Sequence, residues 1–345
     1  MKNVGFIILL FLLVACHNGR KETGSFDEKI LLTGKVYEKD IISMVPVHFK
    51  LIDSTFFLLG PDRQSLIKIL SEDDASEVGS FGSFGSGPGE FITPYFSSVS
   101  IKDSSFCLYD MSLSILRKYK WFRQNGVFTF NNVEEVKFND ENTVISFLHK
   151  MDNGFSVATI LTGQEKPLVL LDRDLKIVKN FGYVPQNKQI TDFSFYQGCF
   201  ASFGNKLVFA MNDIGYIACY EVTSKGEVTK QWEHFVTQPI FSGDSDRFDS
   251  ELNRTGFYDV QMNNQYIFCA YSGKEMKLMN SGPGALVPET LLVFDLAGRA
   301  VKSFKTDKAI GRIAISPEAN IVYGAYSRPD VGIVKYDLSD WLKEN

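Results

Sequence analysis

Histidine and tryptophan are scarce in this sequence, at four and three residues in 345, and none of the common catalytic spacings is present. Beyond His17 only His48, His149 and His234 remain, with no H-x-H or H-E-x-x-H pattern, so a zinc site has no support and each reads as an ordinary polar residue. No G-x-S-x-G elbow occurs for a serine nucleophile. After Cys16 the cysteines are Cys107, Cys199, Cys219 and Cys269, without a C-x-x-C pair. Three of them sit in apolar strand-like runs, where a thiol behaves as a small buried group rather than a disulfide partner. Basic excess is also missing: the net charge is −5, which argues against a nucleic-acid partner. The one basic and aromatic cluster, Arg117 to Arg123, alternates and reads as a solvated outer strand. The glycine-rich stretch Val78 to Phe91 lacks the Gly-Lys-Ser/Thr of a phosphate loop, because Gly89 is followed by Glu90, Phe91, Ile92, Thr93 and Pro94. A dinucleotide loop fails too, since a strand rather than a helix opens at Pro94. Five glycines and Pro88 in this stretch point to an irregular linker between two sheet units.

What is present begins with a targeting segment. Lys2 precedes the apolar run Val4 to Leu13, which is too short to span a bilayer, a task that takes roughly 20 residues. Leu13-Val14-Ala15-Cys16 resembles the bacterial lipobox, which implies cleavage before Cys16 and a lipid on its thiol. The expected organisation is a signal peptide over 1–15, a lipidated Cys16 with a polar tether over 16–27, and one domain over 28–345. Acyl chains contribute about 0.8 kcal/mol per buried methylene, so several hold a protein at a membrane without a spanning helix.

That domain reads as all-β. Thirty Phe residues bias the composition toward sheets packed face to face, and no 3.6-residue period is sustained over three turns. A unit of strand, acid, turn and strand recurs six times, with its acids at Asp62, Asp110, Asp172, Glu221, Asp295 and Asp337. Their separations of 48, 62, 49, 74 and 42 residues compare with roughly 40 to 50 in familiar propeller repeats. Six four-stranded antiparallel units fit a six-bladed β-propeller better than a pair of β-sandwiches, because the radial arrangement leaves only short sheet edges. The last unit has three strands of its own. Lys29 to Glu38 would supply the fourth and close the ring.

The lipobox, the Gly85-Ser86-Gly87-Pro88-Gly89-Glu90-Phe91 string and the six acid-bearing turns together resemble the TolB-like six-bladed β-propeller lipoproteins of Bacteroides-type bacteria. The resemblance covers nearly the whole mature chain and implies a lipid-anchored envelope propeller, with no catalytic residues to carry over. The expected role is a non-enzymatic binding or assembly module with an envelope protein or glycan as partner, at the outer membrane and facing the periplasm. The alternative is a metal-dependent hydrolase or lactonase with its site in the central channel. No cofactor is expected; the one calcium candidate, Asp244 to Glu251, has Asp249 where an EF-hand loop needs glycine. Two long insertions, Pro239 to Gly256 and Ser272 to Glu289, are the expected binding loops. They offer Phe241, Arg247, Phe248, Arg254, Met276 and Met279 as contact residues.

Overall fold

The computed structural model describes residues 26, 29–37, 42–185, 190, 192–243, 247–282, 284–316, 320–327 and 330–342. Cys16, the signal segment and most of the tether lie outside them, as do Glu38, Asp244 and Asp246. Two short strands come first, β1 (Ile30–Leu32) and β2 (Lys35–Val36). The first blade follows as β3 (His48–Ile52), β4 (Thr55–Leu59), β5 (Ile67–Ser71) and β6 (Glu77–Phe81). The second is β7 (Pro94–Ser100), β8 (Ser105–Asp110), β9 (Ile115–Gln124) and β10 (Val127–Lys137). The third holds β11 (Val144–Lys150), β12 (Ser156–Thr162), β13 (Leu168–Leu171) and β14 (Ile177–Phe181). In the fourth are β15 (Gly198–Phe203), β16 (Lys206–Met211), β17 (Tyr216–Val222) and β18 (Val228–Phe235). The fifth has β19 (Phe257–Met262), β20 (Tyr266–Tyr271), β21 (Thr290–Asp295) and β22 (Ala300–Thr306). The last contributes β23 (Ile310–Ile315), β24 (Ile321–Tyr326) and β25 (Gly332–Asp337).

Each blade is an antiparallel meander, and the first strands β3, β7, β11, β15, β19 and β23 touch one another in a closed ring. The chain is thus an all-β, six-bladed propeller. Its closure uses both N-terminal strands: β2 pairs antiparallel with β25 as the fourth strand of the last blade. β1 pairs in parallel with β22 and gives the fifth blade an additional outer strand. The two short strands cover part of the outer edges of β22 and β25, which shortens the ladder of backbone donors and acceptors that those longer strands would expose.

Burial between blades explains the phenylalanine excess. Phe49, Phe56, Ala314 and Tyr323 fill the joint between the last blade and the first, while Phe57, Phe91, Phe106 and Trp121 fill the next. Alternation works because successive strand side chains face opposite sides, so each strand serves two joints. A fully buried side chain of this size contributes about 1.5 to 3 kcal/mol.

Three expectations shift. The acid-bearing unit falls on the third and fourth strands in the third, fourth and fifth blades, and on the third strand of the last; at Asp62 and Asp110 it falls one strand earlier. The acids hold turns: Asp110 Oδ1 accepts the Leu113 N–H at 3.2 Å, and Asp172 Oδ1 accepts those of Asp174 and Lys176, each at 2.9 Å. Any strand-to-turn step can use that chemistry, so the motif did not mark one blade position. Second, the glycine-rich stretch is irregular only from Gly82, because Glu77–Phe81 pairs with β5. A Cβ at Gly79 would meet Phe128 of the neighbouring blade at an ordinary contact distance of 3.4 Å. Beyond it, Glu90 Oε2 accepts the Gly87 N–H at 2.7 Å, and side chains at Gly85 or Gly87 would collide with that carboxylate. Third, the basic cluster lies on β9, which is covered by β10 and is not the outer strand. Arg117 is buried, donates to Glu135 at 2.8 Å and stacks over Phe91, so only Lys120, Phe122 and Arg123 face solvent.

Candidate functional site

The six first strands enclose a central cavity of about 410 Å³. Because alternate side chains of a strand share a face, His48 and Lys50 of β3 line it while Phe49 between them is buried in a blade joint. β7 contributes Tyr95 and Ser97, β11 contributes Phe147 and His149, and β15 contributes Cys199 and Ser202. Asp259 and Gln261 come from β19, and Arg312 from β23.

Hydrogen bonds tie the blades together across this space. Lys50 Nζ donates to Gln261 Oε1 at 2.9 Å, and Gln261 Nε2 donates to Asp259 Oδ1 at 3.2 Å. Asp259 also accepts the backbone N–H groups of Val260 at 2.9 Å and Ile313 at 3.0 Å. Arg312 donates to the carbonyls of Val47 at 2.5 Å, Tyr258 at 2.7 Å and Gly311 at 2.8 Å. His149 Nε2 and Ser202 Oγ are 2.7 Å apart, and the imidazole stacks on Phe200.

Electrostatics follow from burial. Burial, and then Lys50, bring His149 down to about 3, whereas burial together with Lys50, Arg312 and His149 holds His48 well below its ordinary value. Both rings are therefore neutral at pH 7. Burial lowers Lys50 and raises Asp259, each opposed by the other's charge. The Cys199 thiol is pushed up by burial and by Asp259, which keeps it protonated. A base with a pKa near 3 takes up a proton weakly, so the His149–Ser202 pair is poorly matched to nucleophile activation at neutral pH. Among the described residues no three His, Cys, Asp or Glu side chains are grouped to hold a metal.

The two insertions meet on one face, as the alternation of strand directions requires of the β18–β19 and β20–β21 connections. Met276 N donates to the Asn253 carbonyl at 2.9 Å, and Thr255 N donates to that of Lys274 at 2.9 Å. Of the expected contact residues, Phe248 and Met276 are buried, and Phe248 packs on Tyr196 and on the half-buried Phe241. Arg254 is exposed, donates to the Gly273 carbonyl at 2.8 Å and lies 3.8 Å from Glu275. Arg247 is exposed, and Met279 is 60% exposed. Asp249, from the acidic run, accepts the N–H groups of Glu251 and Leu252 and closes a turn. His234, on β18, is 2.7 Å from the Gly298 carbonyl and stacks on Trp232, outside the cavity.

Sequence reasoning passed over His48, Lys50, His149, Asp259 and Arg312. The available signal was blade phase: counted from the first strand of each unit, all five fall on channel strands.

The chain matches the family described as TolB-like 6-blade propeller-like over residues 24–318. No curated protein sequence matches it. Among solved structures it is similar to a member of the DUF4221 family from Bacteroides vulgatus, at 9% identity and a TM-score of 0.54, covering 90% of this chain and 96% of that one. It is also similar to a putative exported protein from Bacteroides fragilis, at 12% identity and a TM-score of 0.52, over 88% and 94% of the two chains. A luciferin-regenerating enzyme matches at 8% identity and a TM-score of 0.52, over 88% and 95%. Likeness at these identities concerns the fold alone.

Proposed function

This chain belongs to the TolB-like six-bladed propeller family, and we propose that it is a lipid-anchored, non-enzymatic binding or assembly module of the cell envelope. The observation that carries the binding role is the cavity itself: charged and polar side chains from all six blades converge in it. The weak basicity of His149 and the raised Cys199 thiol support binding over turnover. Metal analysis of the purified protein with a hydrolase and lactone screen tests this part. Stoichiometric calcium together with turnover would overturn it.

Anchoring rests on Leu13-Val14-Ala15-Cys16, with 1–15 as signal peptide, 16–27 as lipidated tether and 28–345 as the propeller. Among the described residues no helix is long and apolar enough to cross a membrane. Metabolic labelling with a fatty-acid analogue tests the anchor: wild type takes the label and Cys16→Ser loses it, whereas equal labelling would refute the assignment. The module faces the periplasm from the outer membrane in this reading, and protease shaving of intact cells checks the side. Its partner is an envelope protein or glycan, contacted through Arg247, Arg254 and Met279 on the paired insertions, while Phe241, Phe248 and Met276 hold those loops in place.

A further inference from the structure

We propose that Met44, Val47 and Phe84 form a docking patch on the insertion-bearing face for an apolar, non-basic segment of a partner protein. The proposal rests on the binding-module reading and its lipid anchor, and it adds a contact surface that the insertions do not supply.

Two connections build the patch. In each meander the second-to-third and fourth-to-first connections share one face, so residues 42–47 and 82–93 emerge on the same side as the two insertions. A Cβ at Gly60 would lie 3.4 Å from Val47 Cγ2 and 3.9 Å from Phe84 Cζ, so these two side chains flank one point. Met44 is set beside the same turn by its N–H, which donates to the Pro61 carbonyl at 3.0 Å. All three side chains are exposed, Phe84 at 45%. The glycine-rich linker holds Phe84 in that position. Gly85 N donates to the Phe91 carbonyl at 2.9 Å and Phe91 N to that of Ser83 at 3.2 Å, while the Phe91 ring is buried beneath Arg117. A ring kept in water by a rigid frame loses little freedom when it is covered, and exposed apolar patches of this kind mark interaction sites.

What covers the patch follows from where the anchor leaves the fold. Phe26 packs edge-on against Phe294, with ring centres 5.0 Å apart, beside the β21–β22 turn on the opposite face. Nine residues separate Cys16 from Phe26, a reach of at most about 35 Å. A bilayer could meet the patch only if the molecule turned over on its tether, and a second copy in the same leaflet only if one of the two did. A partner protein needs no such inversion. Charge narrows its chemistry: Asp62 holds Lys68 at 2.7 Å and Glu90 holds the Gly87 N–H at 2.7 Å, whereas Arg63 on the same turn is exposed. A basic segment would be repelled there.

The test places the photo-crosslinker p-benzoylphenylalanine, in the full-length chain, in place of Phe84, Met44 or Met279, with Ile101 and Phe203 on the opposite face as controls. Irradiation of intact cells is expected to give a protein adduct of common mass from Phe84 and Met44, and none of that mass from the controls. A synthetic peptide of the adducted segment then serves as the probe. Calorimetry on the mature protein should show it binding, with Phe84→Ser weakening it by about tenfold or more. Absence of an adduct at both patch positions, equal yield from the controls, or a basic segment would overturn the proposal. An adduct to lipid or to a second copy would overturn it too, by naming another occupant. If Phe84→Ser fails to fold, the comparison of positions in cells still decides. Adducts from Met279 alone remove this patch and leave the module reading, which turnover in the hydrolase screen would remove.

Discussion

Replacing His149 by Gln should reduce the acid sensitivity of the fold, leaving the part contributed by His48. Gln keeps a polar group for Ser202 Oγ, 2.7 Å from the native imidazole, but cannot titrate. In the native protein burial and Lys50 hold His149 at about 3, against an ordinary 6.5. Between those values the unfolded chain takes up a proton that the folded chain refuses. The stabilisation is therefore complete above pH 6.5 and is lost as pH falls through that value toward 3. At pH 5 the folded imidazole is still neutral, so the loss is set by the unfolded value and amounts to about 2 kcal/mol relative to pH 7. Asp213, raised by burial to about 6, works in the opposite direction: its contribution grows as pH falls through its folded value. Comparing the two proteins at each pH cancels it. Urea unfolding at pH 7 and pH 5 is the assay, and the variant should lose about 2 kcal/mol less than wild type over that interval. Equal losses would refute the claim that His149 is held neutral in the cavity.

Two further outcomes follow from the closure and the loops. Deleting residues 30–37 removes the buried Leu32, the β1–β22 and β2–β25 pairings and the Tyr37 hydroxyl bond to the Glu72 carbonyl at 2.7 Å. The cost should be on the order of 5 kcal/mol with a tendency to aggregate, and an unchanged melting temperature would contradict the closure. Phe248→Ala should cost roughly 3 kcal/mol, because its ring packs on Tyr196 and Phe241. Met279→Ala should change stability by less than about 0.5 kcal/mol, and equal melting temperatures for the two variants would show that the loop is not anchored through Phe248.

Much of the architecture was legible because its causes are local. Alternation in runs such as Phe106 to Asp110 marks strands, turn acids mark their ends, and a three-stranded last unit demands a strand from elsewhere. Blade phase was less legible, since Asp62 and Asp110 hold turns one strand earlier than Asp172 does. The insertions looked like free loops because nothing in their composition shows that Phe248 and Met276 turn inward. Only the fold supplies the core that buries them.

The same division separates the scaffold from its cavity. Strand count, ring closure and the list of side chains on each first strand are written in the order of residues, because a period of two and a turn depend on neighbours in the chain. The cavity depends on residues 48, 50, 149, 202, 259 and 312 meeting from five blades. Their charge states come from burial and from one another's fields. Tertiary structure decides those quantities, because desolvation and Coulomb energy depend on distance in space rather than along the chain.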